Sequence, residues 1–129
     1  MMKILVEVSV GELLDKISIL YIKKKKISDP VNLNHIITEY NILKEEYDNK
    51  VKSDDKLNKL YLTLVEINTE LWNIEDDKRL CEKKLEFGDH FIKLSRDIHF
   101  LNDKRAKIKL QINNHTGSKI KEIKHYTSY

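Results

Sequence analysis

With 129 residues, 40% of them apolar, the chain amounts to one domain and can bury a core without disulfides or a structural metal. Three glycines and one proline are too few for the turns of sandwiches, barrels or doubly wound sheets, so an all-α bundle with short connections is expected. The net charge of +3, from 24 basic and 21 acidic side chains, mixes both signs; this excludes the one-sided basic stripe of a duplex binder, and no nucleic acid is expected as a partner.

In chain order, KILVEV at 3–8 alternates weakly and is rich in branched residues, which predicts a short N-terminal strand or extended arm over 1–9. A lone strand must pair with something, and a second copy of the chain would supply its partner. Ser9 to Glu12 form a capping box, in which the Ser9 hydroxyl takes the Glu12 N–H and the Glu12 carboxylate returns to the Ser9 N–H. The helix it opens, 10–27, carries Val10, Leu13, Leu14, Ile17, Leu20 and Tyr21 on one side and runs into lysines at 23–26, which suit a helix C-terminus. Ser28-Asp29-Pro30 ends it and starts the next, 30–51, with a stripe of Leu33, Ile36, Tyr40, Leu43, Tyr47 and Val51. After the break at Ser53-Asp54-Asp55, a third helix over 55–87 has the seam Leu57, Leu60, Leu64, Ile67, Leu71, Ile74, Lys78, Cys81, Leu85. Gly88 is expected to end it and Asp89 to cap a fourth, 90–113, with Phe91, Leu94, Ile98, Leu101, Arg105, Ile108 and Ile112. One charged residue, Lys78 or Arg105, interrupts each of the last two seams. NNHTGS reads as a loop, and Ile120, Ile123, Tyr126 and Tyr129 predict a short docked helix or a packing tail within 114–129. The whole, 1–129, reads as a single helical domain built on a long antiparallel hairpin of helices three and four.

The apolar run of MMKILVEVSV is short and broken by Glu7, so it is not a signal peptide, and no stretch of 18 apolar residues predicts a membrane span. Cys81 is the single cysteine and makes no internal disulfide. Cytoplasm is the expected location.

The stretch NIEDDKR, 73–79, places acids and bases in the middle of a packing helix. If Gly88 makes a tight turn, residues equidistant from it face one another. Glu82 then lies near Ser95 and Arg96, Lys78 and Arg79 near Asp97, Glu75 near Asn102, and Leu71 near Arg105. Interhelical ion pairs that fix register are the plainest reading. The sharper one is a polar pocket for an anionic ligand, its arginines held by carboxylates, because buried charges cost several kcal/mol unless paired. Arginine is scarce: only Arg79, Arg96 and Arg105 stand among the 24 basic residues. Each marks a position where a planar fork serves and a lysine does not. For a metal, His99 with Asp103 and Glu66 with Glu70 share i,i+4 spacing, and Glu75 and Asp76 are weak candidates, but no E-x-x-H or HExxH accompanies them. P-loop, G-x-G-x-x-G, G-x-S-x-G and C-x-x-C patterns are absent. Tyr40, Tyr47 and Tyr61 lie in apolar stripes, where packing explains them better than base stacking.

SVGELLDKISILYIKKKKISD, LWNIEDDKRLCEKK, FIKLSRDIHFLNDKRAKIKLQIN and GSKIKEIKHYTSY together resemble short bacterial and phage proteins grouped as a domain of unknown function, over nearly the whole chain. The resemblance marks Glu12, Asp15, Lys16, Glu75, Asp76, Arg79, Glu82, Arg96, Asn102, Asp103, Arg105 and Lys109. Members are sometimes labelled lipopolysaccharide biosynthesis proteins, which implies a link to surface polysaccharide. Lys78, in place of an aliphatic residue, and His99, in place of a tyrosine, depart from the pattern.

The leading expectation is a small binding module that recognises an anionic small molecule or a protein partner through the charged strip on 55–113, and that forms a homodimer. Arg79, Arg96, Arg105, Asn102 and Lys109 would meet the anion, Glu75, Asp76 and Glu82 would orient them, and Glu12, Asp15 and Lys16 would join by resemblance. No cofactor is needed. The alternatives are an enzyme acting on a nucleotide or nucleotide-sugar phosphate, with Mg²⁺ held by Glu75, Asp76 and Asp103, and a purely structural dimer.

Overall fold

The computed structural model describes residues 1–125, 127 and 128, and among these it has four helices and no strand. They are α1 (Val10–Lys26), α2 (Pro30–Lys50), α3 (Asp55–Lys84) and α4 (Asp89–Thr116). The first three begin on a side-chain oxygen that satisfies an otherwise orphaned backbone N–H. Ser9 Oγ accepts from Glu12 at 3.1 Å, Asp29 from Asn32 at 2.9 Å with Pro30 at the first helical position, and Asp54 from Leu57 at 2.8 Å. The return half of the Ser9 box is not made, because the Glu12 carboxylate takes a cation on α4 instead.

Residues 1–9 are not a strand, and Ile4, Leu5, Val6 and Val8 are exposed. An isolated strand has no ladder to complete, so the alternation of KILVEV finds nothing to pair with inside one chain. The end of α3 also differs from expectation. The left-handed residue that terminates it is Leu85, with φ 56°, while Gly88 has a negative φ and opens α4 without a side-chain cap. The Glu86 N–H reaches the Cys81 carbonyl at 2.9 Å and the Leu85 N–H reaches Glu82 at 3.1 Å, tying off the last turn.

α1 is the central element. It packs against all three other helices, α3 packs along α4, and α2 packs closely on α1 only. One core cluster joins Leu14, Ile17, Tyr47, Leu57, Leu64 and Ile112, and a second joins Ile67, Leu71 and Leu101, with Ile108 packed against both. The stripes of α3 and α4 therefore bury as their spacing predicts, while on α2 only Tyr47 is fully buried. Lys78 keeps its place on the α3 seam by laying its ammonium 5.4 Å from the centre of the Phe91 ring. Beyond Gly117 the described tail is not helical, and Ile120 and Ile123 are exposed. Polar groups anchor it instead: Ser118 Oγ accepts the Val10 N–H at 3.1 Å, and Lys121 donates to Asn114 at 2.7 Å. Tyr126 and Tyr129 lie outside the described residues. No described helix is long and apolar enough to cross a membrane.

Leu85 holds a backbone conformation that costs a branched residue about 1 kcal/mol, and its side chain is solvent-exposed. Leu85→Gly is expected to raise stability by about 1 kcal/mol in urea unfolding, while Leu85→Ala brings no such gain.

Candidate functional site

The densest polar cluster lies where α1, α3 and α4 meet, and its centre is Asp15. Its residue is 2% exposed, the burial of an aliphatic core position. The Arg105 guanidinium grips it as a fork: Nε donates to Oδ1 at 2.9 Å and Nη2 donates to Oδ2. Asn68 Nδ2 donates to the same Oδ1 at 2.9 Å and to Ser18 Oγ at 2.7 Å, and that hydroxyl donates to the Asp15 carbonyl at 2.7 Å. Lys109 Nζ, on a side chain 9% exposed, donates to Glu12 at 2.7 Å and Glu122 at 3.1 Å, and lies 3.7 Å from Asp15 Oδ2. Lys124 approaches Glu122 at 3.5 Å. Three acids thus stand against three bases, and no buried side-chain polar atom among the described residues lacks a partner.

The local sequence explains this meeting. Gly11, Asp15, Ser18 and Ile22 share one face of α1, at steps of four, three and four, and all four are buried. Gly11 lets α4 approach, since a Cβ there would lie 2.6 Å from the Lys109 carbonyl oxygen and 2.7 Å from Asn113 Oδ1. The Gly11 N–H donates to that Oδ1 at 2.7 Å. Asn68 sits between Leu64 and Leu71 on α3, and Arg105 between Leu101 and Ile112 on α4, so the network lies between the two apolar clusters.

Burial alone would push the Asp15 carboxyl up. The Arg105 and Asn68 hydrogen bonds and the charges of Arg105 and Lys109 outweigh it and hold the group below its ordinary value. The Asp15 hydrogen bond, against burial, raises Arg105. Burial works against the Lys109 charge, but its bonds to Glu12 and Glu122 prevail and raise it. The Lys109 bond in turn lowers Glu122.

Arg105 Nη1 has no partner among the described residues, and the side chain is 29% exposed. Its free edge borders two grooves. The larger, about 470 Å³, has an apolar wall that includes Ile22, Leu71 and Trp72, and polar groups Glu75, Asp76, Arg79 and Asn102. The smaller, about 330 Å³, runs past Glu12, Lys109, Glu122 and Lys124.

Of the residues singled out in the sequence, Arg79, Asn102, Arg105, Glu75 and Asp76 line one groove. Glu12, Asp15 and Lys109 belong to the buried network, and Lys109 has no hydrogen left for a ligand anion. Lys16 and Glu82 are exposed and line neither groove. Arg96 is away on α4, its guanidinium 6.0 Å from the Phe100 ring centre. The meshing expected between NIEDDKR and α4 is not present. No described ion pair joins 73–79 to α4, and Glu75, Asp76 and Arg79 are exposed. The expected metal candidates are dispersed: Glu75 and Asp76 line the larger groove, Asp103 a different one beside Phe100, and His99 stands against Phe100. No group of three or more potential ligands occurs among the described residues. Sequence reasoning missed Asn68, Ser18, Glu122 and Asn113. The first two carried a signal, as polar residues at buried helical spacing; Glu122 comes from a non-helical tail and carried none.

Asp15→Asn keeps the shape but leaves Arg105 and Lys109 short of a buried anion, and is expected to cost about 3–5 kcal/mol at pH 7. Because the folded Asp15 titrates below its model value of 3.8, its contribution is complete above that value and is lost as pH falls through the depressed one. Acid unfolding of Asp15→Asn is therefore expected to show a shallower pH dependence than the parent. Gly11→Ala, which forces α1 and α4 apart, is expected to cost about 1–3 kcal/mol in the same assay.

No curated protein and no solved structure matches the chain. Residues 2–129 match the model of a family described as Family of unknown function (DUF6165), so the chain belongs to that family.

Proposed function

We propose that the chain is a binding module for an anionic small molecule, with the ligand seated in the groove between α1, α3 and α4. The observation that supports this most is the Arg105 guanidinium, fixed by a buried carboxylate on one edge and open on the other. Asp15, Asn68 and Ser18 hold that fork before the ligand arrives, so little side-chain entropy is lost on binding. Arg79, which has no ion-pair partner among the described residues, closes on the anion from α3, and Asn102 adds an amide. Trp72 and Leu71 offer an apolar surface beside them.

The charge balance narrows the ligand. Arg105 is already offset by Asp15, and Arg79 faces Glu75 and Asp76. A bare polyanion would meet those carboxylates. An anion that also carries hydroxyl or amino donors satisfies both halves of the groove, as a sugar phosphate or an acidic sugar does, in keeping with a link to surface polysaccharide. In this reading α3 and α4 form an antiparallel hairpin that carries the site. The exposed arm at 1–9 pairs with its copy in a homodimer, and the protein works in the cytoplasm. The rival reading, a Mg²⁺-dependent enzyme on a nucleotide or nucleotide-sugar phosphate, is favoured by the placement of Glu75 and Asp76 beside the two arginines in one groove.

Thermal melts with inorganic phosphate, glucose 1-phosphate and a sugar nucleotide, each with and without Mg²⁺, separate the readings. A ligand at 100 times its Kd adds about 2.7 kcal/mol. Stabilisation by the sugar phosphate alone is expected, with affinity at least tenfold weaker in Arg105→Lys, which presents a point charge in place of the fork. Stabilisation that requires metal and nucleotide together supports the enzyme. No stabilisation by any ligand, with melting that depends on protein concentration, supports the structural dimer.

A further inference from the structure

The face of α1 opposite Asp15 borders a second cavity, of about 630 Å³, enclosed by α1, α2 and α3. It exists because α2 packs closely on α1 and not on α3, so α2 and α3 diverge below Tyr47 and leave the space unfilled. Leu14, Ile17, Val51, Leu62 and Val65 supply its apolar wall, and Tyr21, Tyr40, Tyr47 and Tyr61 converge on it. Four tyrosines around one cavity are more than packing requires, since phenylalanine would fill the same volume without a hydroxyl to satisfy. The hydroxyls of Tyr40, Tyr47 and Tyr61 make no hydrogen bond to any described residue, yet no buried polar atom is orphaned. They therefore open into the cavity.

The charges around it are one-sided. Lys24 Nζ lies 4.0 Å from the Tyr40 ring centre, Lys25 4.3 Å from Tyr21 and Lys44 5.2 Å from Tyr47. Asp48 is the one carboxylate of the lining, and Lys44 engages it at 2.6 Å. That leaves Lys24 and Lys25 uncompensated at the mouth, each parked on a ring face. The volume falls within the range of small-molecule sites, and the lining has their usual make-up, a mostly apolar wall with a few convergent polar groups.

We propose that this cavity binds an amphipathic anion, a molecule with a flat aromatic body and a single carboxylate or comparable acid. The body lies among Leu14, Ile17, Val51 and the tyrosine rings. The acid group meets Lys24 and Lys25 at the mouth and accepts from tyrosine hydroxyls. Burial, and then the neighbouring tyrosines, push the Tyr61 phenol up to about 12, so it stays a donor at any physiological pH. The site is independent of Arg105 and of the groove on the other side of α1.

Isothermal titration calorimetry of the full chain with 2-naphthoate, and with 2-naphthalenemethanol as its neutral counterpart, tests this. One naphthoate per chain is expected, bound at least tenfold tighter than the alcohol. Lys24→Ala with Lys25→Ala should remove most of that preference, whereas Lys83→Ala, a solvent-exposed charge far along α3, should not. Leu62→Trp places a bulky side chain across the cavity from an exposed position and should abolish binding while an unchanged Tm shows the fold intact. Absence of heat at millimolar naphthoate overturns the proposal. So does equal affinity for acid and alcohol, or naphthoate binding that survives Leu62→Trp unchanged.

Discussion

Every helix that forms the main body of the molecule answers to one buried anion. Asp15 on α1 is nearly inaccessible to solvent, and an isolated carboxylate there would cost several kcal/mol or take up a proton. It avoids both by drawing a guanidinium from α4 and an amide from α3. Those bonds are directional, so they constrain rotation and slide of the helices in a way that leucine contacts do not. Asn68 illustrates how tightly the arrangement closes. Its two amide hydrogens go to Asp15 and Ser18, and the Ser18 hydrogen returns to the Asp15 carbonyl. A one-turn slip of α3 would leave all of them unsatisfied in the interior.

The same network sets how closely α1 and α4 can approach. Gly11 and the Asn113 amide touch at the start of α1, and Lys109 draws Glu12 and Glu122 over the crossing. The tail, which has no regular structure of its own, is held there by Glu122 and Ser118 through polar contacts and not by Ile120 and Ile123. Lys109 is therefore spent on structure. Three acceptors surround an ammonium with three hydrogens, which is why a residue expected to meet a ligand is unsuited to do so.

Much of the architecture was legible in the sequence, and the reason is periodicity. Leu57, Leu64, Ile67 and Leu71, or Leu94, Leu101 and Ile112, bury because steps of three and four put them on one face whatever they meet. Ser9, Asp29 and Asp54 were legible because their function is local, a bond to a backbone N–H three residues on. Partnership across the fold was not. Symmetry about Gly88 predicted meshed charges, but α3 ends at Lys84 on Leu85, and NIEDDKR keeps most of its charges on the water side of the helix. Asp15 entered only through the resemblance, although its own stripe with Gly11 and Ser18 was available: three small or polar residues at helical steps are what a buried hydrogen-bonded face looks like on a helix. The cavity beside α2 was hidden for a different reason. Tyr40 and Tyr47 do lie on an apolar stripe, but a stripe does not reveal whether its helix has one neighbour or two.

The three arginines show how far residue choice can be read as chemistry in a lysine-rich chain. At 96 the cation stands over an aromatic ring, a task Lys78 performs over Phe91 in the same molecule, so the guanidinium is not required there. At 105 it is. A lysine at that place could reach one oxygen of Asp15, would leave the other to Lys109 at 3.7 Å, and would have no second edge to present outward. Arg79 lies between these cases: exposed, unpaired among the described residues, and on the same groove as the outer edge of Arg105. Scarcity of arginine thus points to a site only where a buried carboxylate fixes the fork. That fixing residue lies about 90 positions away in the chain, on the helix whose two faces border both cavities.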